Sequence, residues 1–226
     1  MDGAARRLYI SRSSHVMVMD LDSDKVVDDI PNTQGVHGIA VAPELNRGFT
    51  SNGKADTSTI FDLKTLKVLD EVKTGENPDS IIYDPVSKKV FTFNGRSKDS
   101  TVFDAVSGKV ERTIPLGGKP EFAVTDGKGK VYVNIEDTRQ VVEIDSLKAR
   151  ETRMFSLNPC EEPTGMGLDS EHHRAFSGCH NKIMTILDTT AGRVIATVPI
   201  GANVDGNGFD AGTGLAFSRT ATAPSP

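Results

Sequence analysis

The chain has 226 residues with 26 Lys or Arg, 31 Asp or Glu, a formal net charge of −5 and 37% apolar residues. This mild negative charge excludes a protein built around a nucleic-acid or anionic-membrane surface, because both require clustered positive charge. No apolar run approaches the ~20 residues that cross a bilayer, so we expect no membrane span. Residues 1–7 lack the basic and then apolar pattern of a signal peptide, so no export signal is visible.

One five-residue block recurs along the chain and ends each time in aspartate. The closing aspartates lie 42, 42, 41 and 43 residues apart, which indicates a structural repeat. Aspartate suits the corner after a strand because its carboxylate accepts hydrogen bonds from backbone amides two residues further on. We therefore interpret the five residues as turn formers and not as an active site: Asp20, Asp62, Asp104, Asp145 and Asp188.

Each block lies among other strand-like segments, and the segment before it carries an aromatic residue. Counting these segments gives four short strands in a unit of about 42 residues, which is typical of a β-propeller blade. The predicted fold is all-β, a β-propeller of four-stranded antiparallel blades with about five blades present. The predicted single domain, residues 1–218, consists of the units 6–34 (partial), 35–74, 75–116, 117–157, 158–200 and 201–218 (partial). An unstructured tail is predicted for residues 219–226.

Several segments of the repeat resemble the YVTN β-propeller repeat family, the YncE-like proteins. The matching pieces of one unit are Gly117–Glu121, Gly129–Asn134 and Val142–Asp145, and the pattern recurs one unit earlier in Gly75–Asp79 and Val90–Asn94. The resemblance implies a binding protein in the periplasm or outside the cell. Because propellers of this family usually have seven blades, it also implies a fragment lacking about two blades. A five-bladed closure is the alternative, and it leaves one second strand redundant.

Polar residues recur where each unit enters its first strand. Aligning the units places five residues at one equivalent position, facing the propeller channel: His37, Asp79, Glu121, Thr164 and Asp205. A ring of carboxylates and one imidazole can bind a divalent cation or a polar ligand at the channel mouth. The alternative is that these side chains simply cap exposed strand ends.

The loops after the second strands lie on the same predicted face. Asn52 and Asn94 each precede glycine, which is typical of a tight turn, and their amides are further candidates for ligand binding. If the chain is a fragment, its open blade edges favour self-association.

One unit carries the two cysteines, Cys160 in the entry loop and Cys179 in the second-strand loop, with His180 beside it. A disulfide is the favoured interpretation and requires an oxidising compartment. Free buried thiols, and a metal or redox site that adds His180 and Glu162, are the alternatives.

The favoured function is a non-catalytic binding or scaffold propeller that takes a small molecule or protein partner at the channel face. No nucleophile elbow, phosphate-binding loop, zinc-protease motif or dinucleotide fingerprint occurs, and no cofactor is predicted. The alternative function is a metal-assisted, lactonase-like hydrolase or a lyase that uses the channel-mouth residues His37, Asp79, Glu121 and Asp205.

Overall fold

The computed structural model describes residues 2–221, and these form an all-β protein of six antiparallel sheets with one short 3-10 turn, Pro43–Leu45. In every sheet, strands adjacent in sequence pair with each other. The chain divides into two compact units with the boundary between Pro115 and Leu116. This boundary coincides with the start of a repeat. The prediction that residues 1–218 form one domain stays a prediction.

The first unit contains a three-stranded sheet followed by two four-stranded sheets. Its strands are β1 (Arg7–Ser11), β2 (Val16–Asp20) and β3 (Lys25–Ile30); β4 (Val36–Ala42), β5 (Arg47–Asn52), β6 (Thr57–Asp62) and β7 (Val68–Lys73); and β8 (Pro78–Asp84), β9 (Lys89–Asn94), β10 (Asp99–Asp104) and β11 (Val110–Pro115).

The second unit contains two four-stranded sheets followed by a two-stranded sheet. Its strands are β12 (Pro120–Thr125), β13 (Lys130–Ile135), β14 (Gln140–Asp145) and β15 (Arg150–Ser156); β16 (Pro163–Asp169), β17 (Arg174–Cys179), β18 (Ile183–Asp188) and β19 (Arg193–Pro199); and β20 (Val204–Asp210) and β21 (Leu215–Thr220).

These sheets confirm the predicted β-propeller-like architecture of successive antiparallel blades. The partial first and last sheets also match the strand count made from the sequence. The predicted tail, residues 219–226, begins too early in the sequence, because Arg219 belongs to β21 and pairs with Gly206 of β20. Residues 222–226 lie outside the described part of the chain. That the chain derives from a seven-bladed parent remains a prediction. Among residues 2–221 there is no helix with the length and apolar character of a membrane span.

The five recurring aspartates, which end β2, β6, β10, β14 and β18, are turn formers, as predicted. Asp104 Oδ1 accepts hydrogen bonds from the Val106 amide at 3.1 Å and from the Ser107 amide at 2.8 Å. The same pattern occurs at Asp62, which accepts from the amides of the residues two and three positions further on. These bonds satisfy backbone donors where the chain leaves the sheet, so the repeat spacing follows from turn chemistry.

In both units an aromatic residue of a second strand packs against the following sheet. In the first unit Phe49 is fully buried, and its ring lies 6.2 Å from Tyr83 and 6.1 Å from Phe103 of the next sheet. In the second unit Phe176 stacks on Phe209 at 5.5 Å. Such aromatic pairs add to the stabilisation from burying the rings themselves.

Candidate functional site

The five predicted entry residues occupy one equivalent position in the sheets, as the alignment proposed. Each is the second residue of a first strand, and the pairing with the second strand shifts register at that point in all five sheets: His37, Asp79, Glu121, Thr164 and Asp205. They therefore lie within the strands, at a β-bulge, and not in the preceding loops. Bulges re-aim side chains at sheet edges and are common beside functional sites.

In the first unit the bulge position brings His37 and Asp79 together. The His37 Nδ1 atom lies 3.1 Å from Asp79 Oδ1, and the two side chains are 59% and 33% exposed. Ser51 holds the two first strands in place, because its hydroxyl donates to the Asp79 carbonyl at 2.6 Å and accepts from the Gly38 amide at 2.8 Å. The result is an exposed imidazole–carboxylate pair on a rigid support.

In the second unit Glu121 belongs to a group that we call the lysine–glutamate cluster, formed by Lys119, Glu121 and Glu136. The Lys119 ammonium lies 2.6 Å from Glu121 Oε1 and also contacts Glu136 Oε2. Both carboxylates are 19% exposed, whereas the lysine is 41% exposed. The cluster therefore holds one ammonium and two carboxyl groups, half-buried just before β12 begins and just after β13 ends.

The local backbone explains how this cluster forms. The Glu136 amide donates to the Lys119 carbonyl at 2.8 Å, and the Lys119 amide donates to Asp137 Oδ1 at 2.8 Å. Gly118 permits this close approach, because a Cβ at that position would clash with Asp137 and Ile135. The chain segments before β12 and after β13 are thus held side by side.

The contact between the Lys119 ammonium and the carboxyl groups of the cluster shifts the pKa values of Lys119 and Glu136. Partial burial acts to raise the pKa of Glu136, but the hydrogen bonds with Lys119 and Glu121 and the positive charge of Lys119 outweigh it, so that pKa is lowered. Burial acts to lower the pKa of Lys119, and the hydrogen bonds to Glu121 and Glu136 overcome this and raise it. The Lys119 ammonium and the Glu136 carboxylate are therefore charged at neutral pH.

The remaining bulge residues lie in different surroundings. Thr164 donates its hydroxyl to the Val204 carbonyl at 3.1 Å, which ties β16 to β20. Asp205 forms an ion pair with Arg219, and the two line a small surface cavity of about 80 Å³ together with Asn203. These contacts give Thr164 a structural role and leave the Asp205 side chain 75% exposed.

Asn52 and Asn94 do not project their amides to solvent, contrary to the sequence interpretation. Both are fully buried. Asn94 Nδ2 donates to Asp99 Oδ1 at 2.6 Å and to Thr101 Oγ1 at 3.0 Å, while its oxygen accepts from Thr92 at 3.1 Å. The amide is thus used within its own sheet, and Asn52 makes the corresponding bonds to three threonines.

The Asn–Gly pairs are not two-residue turns either. Four residues separate the paired Asn52 and Thr57, and the left-handed residue of that connection is Asp56, with φ of 56°. The sheet containing Asn94 has the same arrangement, with the left-handed residue at Lys98. Glycine is therefore not needed there to supply a positive φ.

Cys160 and Cys179 form a disulfide, which confirms the favoured interpretation. The bond is buried in the core of the second unit and joins the loop before β16 to the end of β17. Because the two sulfur atoms are bonded to each other, neither is a thiolate that could bind a metal. His180 follows directly, and its Nδ1 lies 2.7 Å from Glu162 Oε2.

Sequence reasoning missed two members of the cluster, Lys119 and Glu136. Lys119 stands two residues before Glu121, so their side chains share one side of an extended segment, and this spacing was the available signal. Glu136 is 17 residues away from Lys119 and meets it only through the pairing of β12 with β13. Among residues 2–221, no group of three or more His, Cys, Asp or Glu side chains is arranged to hold a metal ion.

Comparisons with known proteins show the fold. No family model matches the chain. No curated protein matches it. A chain of the solved structure entitled Kuenenia stuttgartiensis hydrazine synthase is similar with a TM-score of 0.65 over 96% of this chain and 93% of that chain, at 13% sequence identity. In all, 1611 solved chains match by structure. At this identity the likeness concerns the fold alone, and propeller-like folds carry many unrelated functions.

Proposed function

We propose that the chain is a non-catalytic binding or scaffold protein of the YVTN β-propeller type. Its binding surface is the lysine–glutamate cluster with the adjacent Phe122, at the edge of the second unit where β12 starts. The carrying observation is the cluster itself: one ammonium and two carboxyl groups are held together beside the bulge of β12. Glu121 belongs to β12, and the backbone hydrogen bond from Glu136 to Lys119 holds the other two side chains next to it.

The chemistry of this surface favours a cationic ligand group. The cluster sets two carboxyl groups against one ammonium, and a further carboxylate, Glu162, contacts His180 at the same edge. Phe122 is 41% exposed, although the equivalent positions of the other first strands hold Gly38, Ser80, Gly165 and Gly206. A protonated amine next to an aromatic or alkyl group would pair its charge with the glutamates and its apolar part with Phe122.

The disulfide supports a location outside the cytoplasm. Buried disulfides form and persist in oxidising compartments, and this one joins the loop before β16 to the end of β17 in the same sheet. A periplasmic or secreted protein also agrees with the resemblance to the YVTN family.

A metal-assisted hydrolase or lyase has no specific observation in its favour. The donor set that such a reaction requires is not assembled among residues 2–221, where the acidic residues at the bulge pair with His37, Lys119 or Arg219. We therefore propose no catalytic step.

Isothermal calorimetry with two probes of similar size and opposite charge tests the proposal. We expect phenethylammonium to bind and phenylacetate not to bind, because only the former can pair its charge with the carboxyl groups of the cluster. Glu136→Gln should weaken phenethylammonium binding about tenfold, and Phe122→Ser should weaken it by a similar factor.

The matched control is Glu151→Gln, which removes a charge from the exposed face of β15. Equal binding of both probes would contradict the proposal. So would a Glu151→Gln variant that is as impaired as Glu136→Gln.

A further inference from the structure

A histidine and a glutamate form an ionisable pair in the sheet next to the lysine–glutamate cluster. His180 Nδ1 lies 2.7 Å from Glu162 Oε2, and the two side chains are 42% and 60% exposed. His180 directly follows the last residue of β17, and Glu162 directly precedes the first residue of β16. The pair therefore lies at the end of the sheet where β16 begins, and solvent reaches both side chains.

Other contacts already hold the two loops of this pair together. The disulfide joins Cys160, two residues before Glu162, to Cys179, one residue before His180. The His180 amide also donates a hydrogen bond to the Glu161 carbonyl at 2.8 Å. The loops therefore do not depend on the contact between the two ionisable side chains, whose relative position is set by the backbone and the disulfide.

The charged groups that face His180 come from two other segments of the second unit. Glu162 belongs to the loop before β16, and Glu136, just after β13, lies within electrostatic range of the imidazole. Lys119 reaches the same surroundings through its contact with Glu136. Lys182 is a further charged residue of the loop that carries His180. A positive charge on His180 thus acts on a carboxylate that the proposed ligand uses.

The charge of a histidine ordinarily changes between about pH 5 and pH 8. When His180 is protonated, the imidazolium forms an ion pair with Glu162 and repels a second cation that binds at Glu136. When His180 is neutral, this repulsion is absent and the Glu162 carboxylate no longer faces a cation. The two protonation states therefore offer a cationic ligand different electrostatic surroundings within one fixed geometry.

We infer that His180 makes the binding of an ammonium ligand at the lysine–glutamate cluster depend on pH, with tighter binding when the imidazole is neutral. The inference rests on the proposed function, because it concerns the regulation of the same site. A ligand that prefers the neutral imidazole must release a proton from His180 to the solvent when it binds. Repulsion between two unit charges several ångströms apart in nearly aqueous surroundings changes an affinity about fivefold.

Calorimetry with phenethylammonium at about pH 5.5 and pH 8 tests this inference, because an alkylammonium stays protonated at both values. We expect the wild-type chain to bind about fivefold more tightly at the higher pH. His180→Gln should bind with nearly equal affinity at both values. His180→Lys, which keeps a positive charge, should bind weakly at both. Titrations in two buffers of different ionisation enthalpy should show proton release by the wild type and little by His180→Gln.

His172 provides a matched control in the same sheet. Its Nδ1 lies 2.8 Å from Asp169 Oδ2, so it forms the same kind of pair, but it does so in the turn between β16 and β17. This turn is at the opposite end of β16 from Glu162. His172→Gln should therefore keep the wild-type ratio of the two affinities.

The outcomes separate this inference from the proposed function. Binding by the wild type with equal affinity at both pH values would overturn the inference alone, as would an unchanged ratio in His180→Gln or a lost ratio in His172→Gln. No binding at either pH would overturn the proposed function and the inference with it. Circular dichroism checks folding. Binding by the wild type without proton release would also overturn the inference, which keeps the test decisive if a His180 variant does not fold.

Discussion

The disulfide should stabilise the second unit by an amount that follows from its position in the chain. It closes a loop between Cys160 and Cys179, which are 19 positions apart in the sequence. The chain-entropy relation assigns about 3 kcal/mol at 25 °C to a loop of this length, through the freedom removed from the unfolded chain. Replacing both cysteines with alanine should therefore lower the free energy of unfolding by about 3 kcal/mol. Some further loss from the buried sulfur atoms is expected.

Hydrogen exchange followed by mass spectrometry shows which strands lose stability when the disulfide is removed. We expect faster exchange throughout β16–β19 in the Cys160→Ala/Cys179→Ala variant, and unchanged exchange in β4–β11 of the first unit, because local opening follows cooperative units of structure. Urea unfolding of the same variant gives the loss in free energy.

Treating both the wild type and the double variant with a reducing agent, which breaks the disulfide, provides an internal control. The chain has only two cysteines, so reduction should change the wild type and leave the double variant unchanged. Identical urea midpoints for the oxidised and reduced wild-type chain would refute the loop-closure reasoning.

Two further predictions concern the buried and turn polar residues of the first unit. Asn94→Ala should lower the free energy of unfolding in urea by about 3 kcal/mol, because it leaves buried partners of its amide unsatisfied, and a loss below about 0.5 kcal/mol would contradict this. The pKa of Asp104 is lowered, chiefly by the hydrogen bonds from the Ser107 amide and hydroxyl. The stability that the ionised Asp104 contributes is therefore present above the unfolded pKa of about 3.9, and it is lost as the pH falls through the folded pKa. Asp104→Ala should therefore lower the free energy of unfolding at pH 7 by about 1 kcal/mol and by less near pH 3, and an equal loss at both values would contradict the assignment.

The repeat made much of the fold predictable from the sequence. Asp104 and its equivalents recur at every fourth strand, at the ends of β2, β6, β10, β14 and β18, because turn chemistry is local, so their spacing gives the length of the repeat. The aromatic position of Phe49 is similarly visible, since burial against the next sheet selects a large apolar residue at each repeat.

The candidate site was only partly predictable, because it depends on contacts between segments distant in sequence. Glu121 was identified from its equivalent position, but Glu136 joins it only through the β12–β13 pairing and the close approach at Gly118. Asn94 was misread for a related reason. The threonines that occupy its amide belong to two strands, and their inward direction is not encoded in the Asn–Gly dipeptide.

The central claim is that the edge formed by Lys119, Glu121, Phe122 and Glu136 is the binding surface of the protein. The most direct test is chemical-shift mapping of the isotope-labelled full chain during titration with phenethylammonium. We predict saturable shifts that are largest at residues 119–122, at Glu136 and at the neighbouring His180. Shifts centred on another part of the chain, or none at all at the highest probe concentration, would contradict the claim.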